Sequence, residues 1–422
     1  MGLNVAMAMV QIVGKRKLSG EVAISGSKNS VLPIMAASVL CQGVTILENC
    51  PDISDVHDMI KILESLGAKV SFETGTLKID TTARTEHEVK EEVAKKLRAS
   101  ILFLGPLLAK DKKVKIGYPG GCNIGKRPID IHVDGLMRLN AGFMMGKNYL
   151  FCETFTLVGN RVKLRYPSVG ATQNIMMAAT LANGKTVIEN AAKEPEIVYL
   201  ARHLKNMGAN ILGEGSSEIT ICGVEELHSC RTIIPYDRVV AATYLILAHV
   251  TQSEIAIHPI LDSGDIENVL LLLQDAGGSI RKNGTVLTYH PASEKIPIQL
   301  ETGPYPKIPT DIQSMTVVMG VVANGKSSIR ESVFEKRFTF VEEMKKMGAD
   351  ITVNENVATI NGPKNLHGTV VSVPDLRAGA ALCIAALVAE GETSIYNWEL
   401  VERGYENFVQ NLSHLGAEIK YC

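Results

Sequence analysis

One turn recurs six times along the chain and constrains it more than any other feature. A helical stretch ends in a small-residue turn, usually Gly-Ala, and a short β-like run follows. It reads Leu66-Gly67-Ala68-Lys69-Val70, Asn140-Ala141-Gly142-Phe143, Met207-Gly208-Ala209-Asn210-Ile211, Ala276-Gly277-Gly278-Ser279-Ile280, Met347-Gly348-Ala349-Asp350-Ile351 and Leu415-Gly416-Ala417-Glu418-Ile419. The alanines at 68, 141, 209, 276, 349 and 417 are spaced by 73, 68, 67, 73 and 68 residues. A near-constant period marks a repeat architecture, and six units of about 70 residues fill the 422-residue chain.

Each unit opens with an apolar stretch behind a turn or cap residue. Ser27-Lys28-Asn29 leads into 31–40, Pro167-Ser168 into 171–181, and Pro235-Tyr236-Asp237 into 239–249. Pro309-Thr310-Asp311 leads into 312–322, Pro374-Asp375 into 376–388, and the run 98–109 holds the same place in the second unit. Ser, Thr and Asp accept the free N–H groups of a first helical turn, so Asp311 and Asp375 are expected as helix caps. These six helices are apolar nearly all round, which predicts burial. A short strand follows each, and then an amphipathic helix, at 56–66, 197–207, 266–276, 338–347 and 405–415. The result is an α/β fold of six repeats, dividing most simply as three plus three. A solenoid would need capping units with a polar outer face, and none is visible.

Composition removes several functions. Forty-three Lys and Arg against 45 Asp and Glu give a net charge of −2, unlike a dedicated binder of nucleic acid or anionic membrane. The longest apolar stretch, Ala380 to Ala389, is half the ~20 residues of a membrane span. The N-terminal apolar run has no basic residues ahead of it, so no secretory signal is expected. None of the eight cysteines forms Cys-x-x-Cys or a zinc spacing, and Cys41 and Cys383 read as small core residues. A reducing cytoplasm and no structural metal are expected.

Two segments imitate a phosphate loop. Gly320-Val-Val-Ala-Asn-Gly-Lys-Ser327 follows a buried helix and leads into a strand, the reverse of the order such a loop needs. Gly120-Gly-Cys-Asn-Ile-Gly-Lys-Arg127 lacks the final hydroxyl. The second is still the most unusual stretch of the chain, because a lone cysteine, Cys122, sits among glycines beside Lys126 and Arg127. Cations there favour its thiolate. Lys28, Arg98, Arg127, Arg238, Arg337, Arg377 and Arg403 all fall in the joints of the repeats. Any one of them alone would read as a surface residue or a structural ion pair. Their recurrence at helix starts points to a trap for a multiply charged anion.

At these joints the chain resembles the UDP-N-acetylglucosamine 1-carboxyvinyltransferases of the enolpyruvyl transferase family. Ser25-Gly-Ser-Lys-Asn29, Arg98-Ala-Ser-Ile101, Pro119-Gly-Gly-Cys-Asn-Ile-Gly-Lys-Arg-Pro128 and Pro167-Ser-Val-Gly-Ala-Thr172 carry the likeness. So do Glu194-Pro-Glu-Ile197, Pro309-Thr-Asp311, Phe334-Glu-Lys-Arg-Phe338, Asp375-Leu-Arg377 and Arg403-Gly-Tyr-Glu406. The related shikimate-pathway transferases share the six-unit fold, but the Gly-Asn-Ala-Gly-Thr and Lys-Ser-x-Ser motifs expected of them are missing.

The resemblance implies a two-domain inside-out α/β barrel with three repeats per domain. One domain would span 28–235 and carry the cysteine loop, the other 1–27 plus 236–422, with the active site in the cleft between them. The implied reaction moves the enolpyruvyl group of phosphoenolpyruvate to the 3′-hydroxyl of UDP-N-acetylglucosamine and releases phosphate, by addition and then elimination. It opens peptidoglycan precursor synthesis and needs no cofactor or metal.

By the same resemblance, Cys122 protonates the methylene carbon and is the residue alkylated by fosfomycin. Lys28, Asn29, Arg127, Arg337, Arg377 and Arg403 hold phosphoenolpyruvate. Asp311 takes the hydroxyl proton, with Asp375 a second acid/base candidate. Arg98, Arg127, Pro128, Ile129, Asp130, Ile131, Ser168, Val169, Gly170, Asp311 and Val333 line the UDP-sugar site. The expected partners are the two small substrates, with no nucleic acid and no membrane, and the expected state is a cytoplasmic monomer. Two other readings stay open: a transferase with another acceptor, and an inactive UDP-sugar-binding paralogue. Tyr166 and Ser54 stand where some members carry a basic residue.

Overall fold

The computed structural model describes residues 8–121, 124–125, 128–291 and 294–422. They form two compact units. One contains the chain up to Ser25, a short piece of the loop at Ile124, and Tyr236–Cys422. The other comprises residues 26–121 and 128–235. Each unit has its own hydrophobic core.

The repeat grammar appears as six four-stranded sheets. The third repeat shows the pattern. Strand Arg161–Lys163 leads into the buried helix Val169–Ala179 and then strand Lys185–Glu189, which pairs parallel with the first, Val162 facing Ile188. A parallel crossover of this kind packs its helix on the sheet. The amphipathic helix Pro195–Asn206 follows, and the hairpin Asn210–Leu212 and Glu218–Cys222 completes the sheet. The small-residue turns break the second helices because their first residue adopts positive φ. Gly67 sits at 90° and Asn140, which replaces glycine in the second repeat, at 71°. Asn tolerates that region better than most residues.

The buried helices are central. In one unit Arg238–Thr251, Gln313–Val322 and Leu376–Val388 pack on one another, and nearly every residue in them is buried. In the other, Leu104–Asp111 packs on Val169–Ala179, and Lys28–Ala37 lies in the same core. With the helices inside and the sheets outside, each unit is an inside-out α/β barrel. Among the described residues no helix is long and apolar enough to cross a membrane.

Three sheets borrow a strand from far along the chain. Arg231–Ile233 pairs parallel with Val44–Glu48 in the first repeat. Ser19–Ala23 pairs parallel with Glu254–His258 in the fourth. Met9–Val13 lies between Glu392–Tyr396 and Glu418–Tyr421 in the sixth.

Several local expectations need correction. The helix expected over 98–109 begins as a 3-10 turn, Arg98–Phe103, before Leu104–Asp111. The second helices of the last two repeats shrink to Val341–Lys346 and Phe408–His414. Their expected first turns are instead irregular, and Phe338, Phe340 and Tyr405 bury their rings there. Asp311 is not a cap, since it lies inside the 3-10 turn Thr310–Ile312, whose cap position is Pro309. The phosphate-loop imitation is the joint between Gln313–Val322 and strand Lys326–Arg330, with Gly325 at φ 141°.

Candidate active site

In the unit of residues 26–235, the Ser27 side chain accepts the Ser30 N–H and starts the helix Lys28–Ala37. That fixes Lys28 and Asn29 in its first turn. Lys28 Nζ meets Asp55 Oδ2 at 2.7 Å, with both side chains largely buried. Asp55 itself stands in the first turn of helix Ser54–Ser65, where the helix dipole favours an anion.

Arg98 Nη2 donates to the Pro128 carbonyl at 3.4 Å, tying the end of the cysteine loop to the start of the 3-10 turn. The glycines ahead of the cysteine have a steric reason. A side chain at Gly120 would collide with the Lys95 carbonyl, and Gly121, at φ 114°, lies against Arg98. Cys122 and Arg127 lie outside the described residues.

Ser168 caps Val169–Ala179 by accepting the Ala171 N–H. Gly170 lies against the His132 ring, where a Cβ would sit 3.1 Å from its Cε1. His132 bonds in turn to the buried Asn174, whose side chain also reaches the Ile101 carbonyl and the Gly105 N–H. These polar bonds fix three segments against one another. Asp130 opens helix Asp130–Arg138, accepts the Ile131 N–H at 2.8 Å, and pairs with Arg165. Burial works against its charge, but Arg165 and that N–H together hold its carboxyl below the usual range. A cavity of about 460 Å³ opens beside Ile131, lined partly by Arg138, Lys163 and Arg165.

The unit of residues 236–422 holds a denser cluster. Arg337 is 4% exposed and spends its guanidinium on three groups. Nη2 donates to Asp311 Oδ1 at 2.8 Å, Nη1 to Asp375 Oδ1 at 3.4 Å, and Nε to the Thr310 hydroxyl at 3.1 Å. Asp375 also caps Leu376–Val388, accepting the Arg377 and Ala378 N–H groups. Its cap role is therefore real, and its carboxylate is buried among donors.

Arg377 is buried beside Asp311, with its guanidinium over the Tyr405 ring. Burial opposes its charge, yet Tyr405, Asp311 and Asp237 raise its pKa. Its Nη1 is buried with no hydrogen-bond partner among the described residues. Such an orphaned donor is costly unless something else accepts from it. Tyr405 bonds to Thr243 at 2.9 Å; burial raises its pKa, and Arg377 opposes that. Arg403 is half-buried in the turn just before it.

The chain matches the EPSP synthase (3-phosphoshikimate 1-carboxyvinyltransferase) family over residues 12–412. It is 42% identical over 415 residues to the UDP-N-acetylglucosamine 1-carboxyvinyltransferase 2 of Caldanaerobacter subterraneus, covering 98% of this chain and 99% of the relative. It is 43% identical over 414 residues to the UDP-N-acetylglucosamine 1-carboxyvinyltransferase of Halothermothrix orenii, covering 98% and 99%. The chain belongs to the UDP-N-acetylglucosamine 1-carboxyvinyltransferase family. The enolpyruvyl transferase NikO from Streptomyces tendae has the same fold at a TM-score of 0.89, with 23% identity over 98% of this chain and 99% of that one. An EPSP synthase from Acinetobacter baumannii superposes at 0.76, with 17% identity over 98% and 100%.

Within this enolpyruvyl transferase, Asp311, Arg337, Asp375 and Arg377 form one cluster in one unit, and Arg403 lies in the same unit. Lys28, Arg98, Pro128, Asp130, Ile131, Ser168 and Gly170 belong to the other. Two participants carry no motif, Asp55 and Glu331, and they acquire partners only once the chain is folded. Thr310, Tyr405 and Asp237 lie within motifs, but no role attaches to them in the sequence alone. For Asp55 the signal is its place in a first turn; for Glu331 there is none.

Proposed function

We propose that this chain transfers the enolpyruvyl group of phosphoenolpyruvate to the 3′-hydroxyl of UDP-N-acetylglucosamine and releases phosphate. Family membership supports the reaction. The observation that carries the residue assignment is the cluster in which Arg337 holds Asp311 and Asp375 while Arg377 Nη1 has no partner among the described residues.

In the addition step, the sugar hydroxyl oxygen bonds to C2 of phosphoenolpyruvate as its proton passes to Asp311. The methylene carbon takes a proton from the Cys122 thiol. The product is a tetrahedral ketal. In elimination, the C2–O bond to phosphate breaks, phosphate leaves with the electron pair, and the methyl carbon gives a proton to the Cys122 thiolate left by the addition step, which restores the double bond. Lys28, Arg127 and Arg403 hold the phosphate and carboxylate, and Arg377 offers its free N–H to the same anion. Preorganised cations of this kind cost little reorganisation as charge develops. Arg98, Arg127, Pro128–Ile131, Ser168–Gly170, Asp311 and Val333 line the nucleotide-sugar site.

Phosphate release tests the proposal. Purified protein with phosphoenolpyruvate should release phosphate with UDP-N-acetylglucosamine and not with shikimate 3-phosphate. Release with the second acceptor alone overturns it, and so does nucleotide-sugar binding with no release.

A further inference from the structure

Glu331 is 2% exposed, and its partners join two parts of the site. It follows strand Lys326–Arg330, and its own N–H donates to the Asn356 carbonyl at 2.8 Å. Oε1 accepts the Val333 N–H at 2.8 Å and the Phe334 N–H at 3.0 Å. The Thr310 hydroxyl lies 3.1 and 3.0 Å from the two carboxylate oxygens. Ser332 is held as well, its N–H on the Thr302 hydroxyl and its own hydroxyl on the Thr302 carbonyl.

The direction of each hydrogen bond follows from the groups. A guanidinium only donates and an ionised carboxylate only accepts. The Thr310 hydroxyl therefore accepts from Arg337 Nε and donates to Glu331. The chain of bonds runs from Arg337 through Thr310 to Glu331 and on to the Val333 backbone. The two backbone N–H groups alone would close the turn. The Thr310 bond adds nothing to that closure, and it leads straight to the arginine that holds Asp311.

We propose that Glu331 is a positioning residue that links the Val333 turn to the proton acceptor Asp311, through Thr310 and Arg337. The inference rests on the roles given above to Val333 and Asp311. Seating of the acceptor sugar against Val333 and orientation of the carboxylate that takes its proton then depend on one hydrogen-bond chain. Because the Val333 N–H is committed to Glu331, the sugar nucleotide meets this residue through its carbonyl or side chain.

The test uses the full chain and three substitutions, Thr310→Val, Thr310→Ser and Glu331→Gln, with steady-state phosphate release and a crystal structure of each. Thr310→Val keeps the shape and breaks the chain at its centre. Its kcat should fall about tenfold or more, while KM for UDP-N-acetylglucosamine moves less than about threefold. Thr310→Ser should restore kcat to within about threefold. Glu331→Gln should raise that KM and lower kcat together. In the crystals, Arg337 should leave Asp311 in Thr310→Val and stay on it in Thr310→Ser. Wild-type kcat in Thr310→Val, equal losses in Ser and Val, or an Arg337–Asp311 pair unmoved in Thr310→Val overturns the inference. If the wild-type protein releases no phosphate, the proposed function fails, and the crystal comparison still decides this point.

Discussion

Lys28 Nζ lies 2.7 Å from Asp55 Oδ2, and little of either side chain reaches solvent. A pair this buried is weak evidence for net stability, but breaking it from one side leaves a charge in the wrong place. Asp55→Ala should destabilise the protein by about 3 kcal/mol and raise KM for phosphoenolpyruvate. Paired with Lys28→Met in a double-mutant cycle, it should show a coupling of about 1–3 kcal/mol in urea unfolding. A coupling near zero means that the two residues are merely adjacent.

Asp311 bonds to Arg337 and caps no helix, so its removal has no helix-start cost. Asp311→Asn keeps an oxygen for Arg337 Nη2 but cannot accept the sugar proton. Melting should stay near native and UDP-N-acetylglucosamine should still bind, while turnover drops about 100-fold or more. Turnover like wild type would move the proton-acceptor role to Asp375.

Asp375 does cap a helix, and the same substitution should behave differently there. Asp375→Asn retains an acceptor for the Arg377 and Ala378 N–H groups. Asp375→Ala loses both and also takes an acceptor from Arg337. The alanine variant should be about 1–2 kcal/mol less stable than the asparagine variant by thermal or urea unfolding. Equal stabilities would show that the cap is dispensable.

Burial protects most thiols. Cys50 and Cys152 are pushed up to about 12, and burial raises Cys41 and Cys383 as well. Cys422 is exposed and Cys222 half-buried, so selectivity rests on the cations beside Cys122. Fosfomycin should label Cys122 alone, faster with UDP-N-acetylglucosamine present, as peptide mass spectrometry would record. Adducts spread over several cysteines would contradict this.

Acid should weaken the fold through two histidines. Burial lowers His203 to about 4; it does the same to His249, with Lys295 adding to the effect there. Unfolded, each titrates near 6.5. Between those values the unfolded chain binds more protons, so stability rises with pH and is fully present above about 6.5. Each histidine contributes about 3 kcal/mol that is lost as pH falls toward about 4. Tm should fall steadily from about pH 7 to about pH 4.5, and a flat profile would refute the assignment.

The sequence showed the repeats because positive-φ turns demand glycine or asparagine, and six such turns at one period leave a visible trace. The buried helices are equally legible, since stretches such as Ala378–Val388 are apolar nearly all round. Strand exchange was not legible. Pairing Thr232 with Leu47 is decided by packing across the whole unit, and neither strand advertises it. Asp311 was misread because Pro309-Thr310-Asp311 looks like a cap, and the 3-10 geometry moves the cap position back to Pro309. Asp55 and Glu331 stayed hidden because each is a single carboxylate whose partners come from other segments or from a local turn.

The strand Met9–Val13 completes the last sheet, where Gln11 bonds to Glu392 across 381 positions of chain. During synthesis that strand leaves the ribosome long before the two strands it pairs with. At about 5–20 residues per second the wait is roughly 20–80 seconds. The intervening unit, from Gly26 to Pro235, has all its sheet strands within its own span and can close meanwhile. Val10 and Ile12, fully buried at the end, are then unpaired apolar strand residues open to chaperones or to a neighbouring nascent chain. Slowing translation late in the message should therefore lower the soluble yield more than slowing it early.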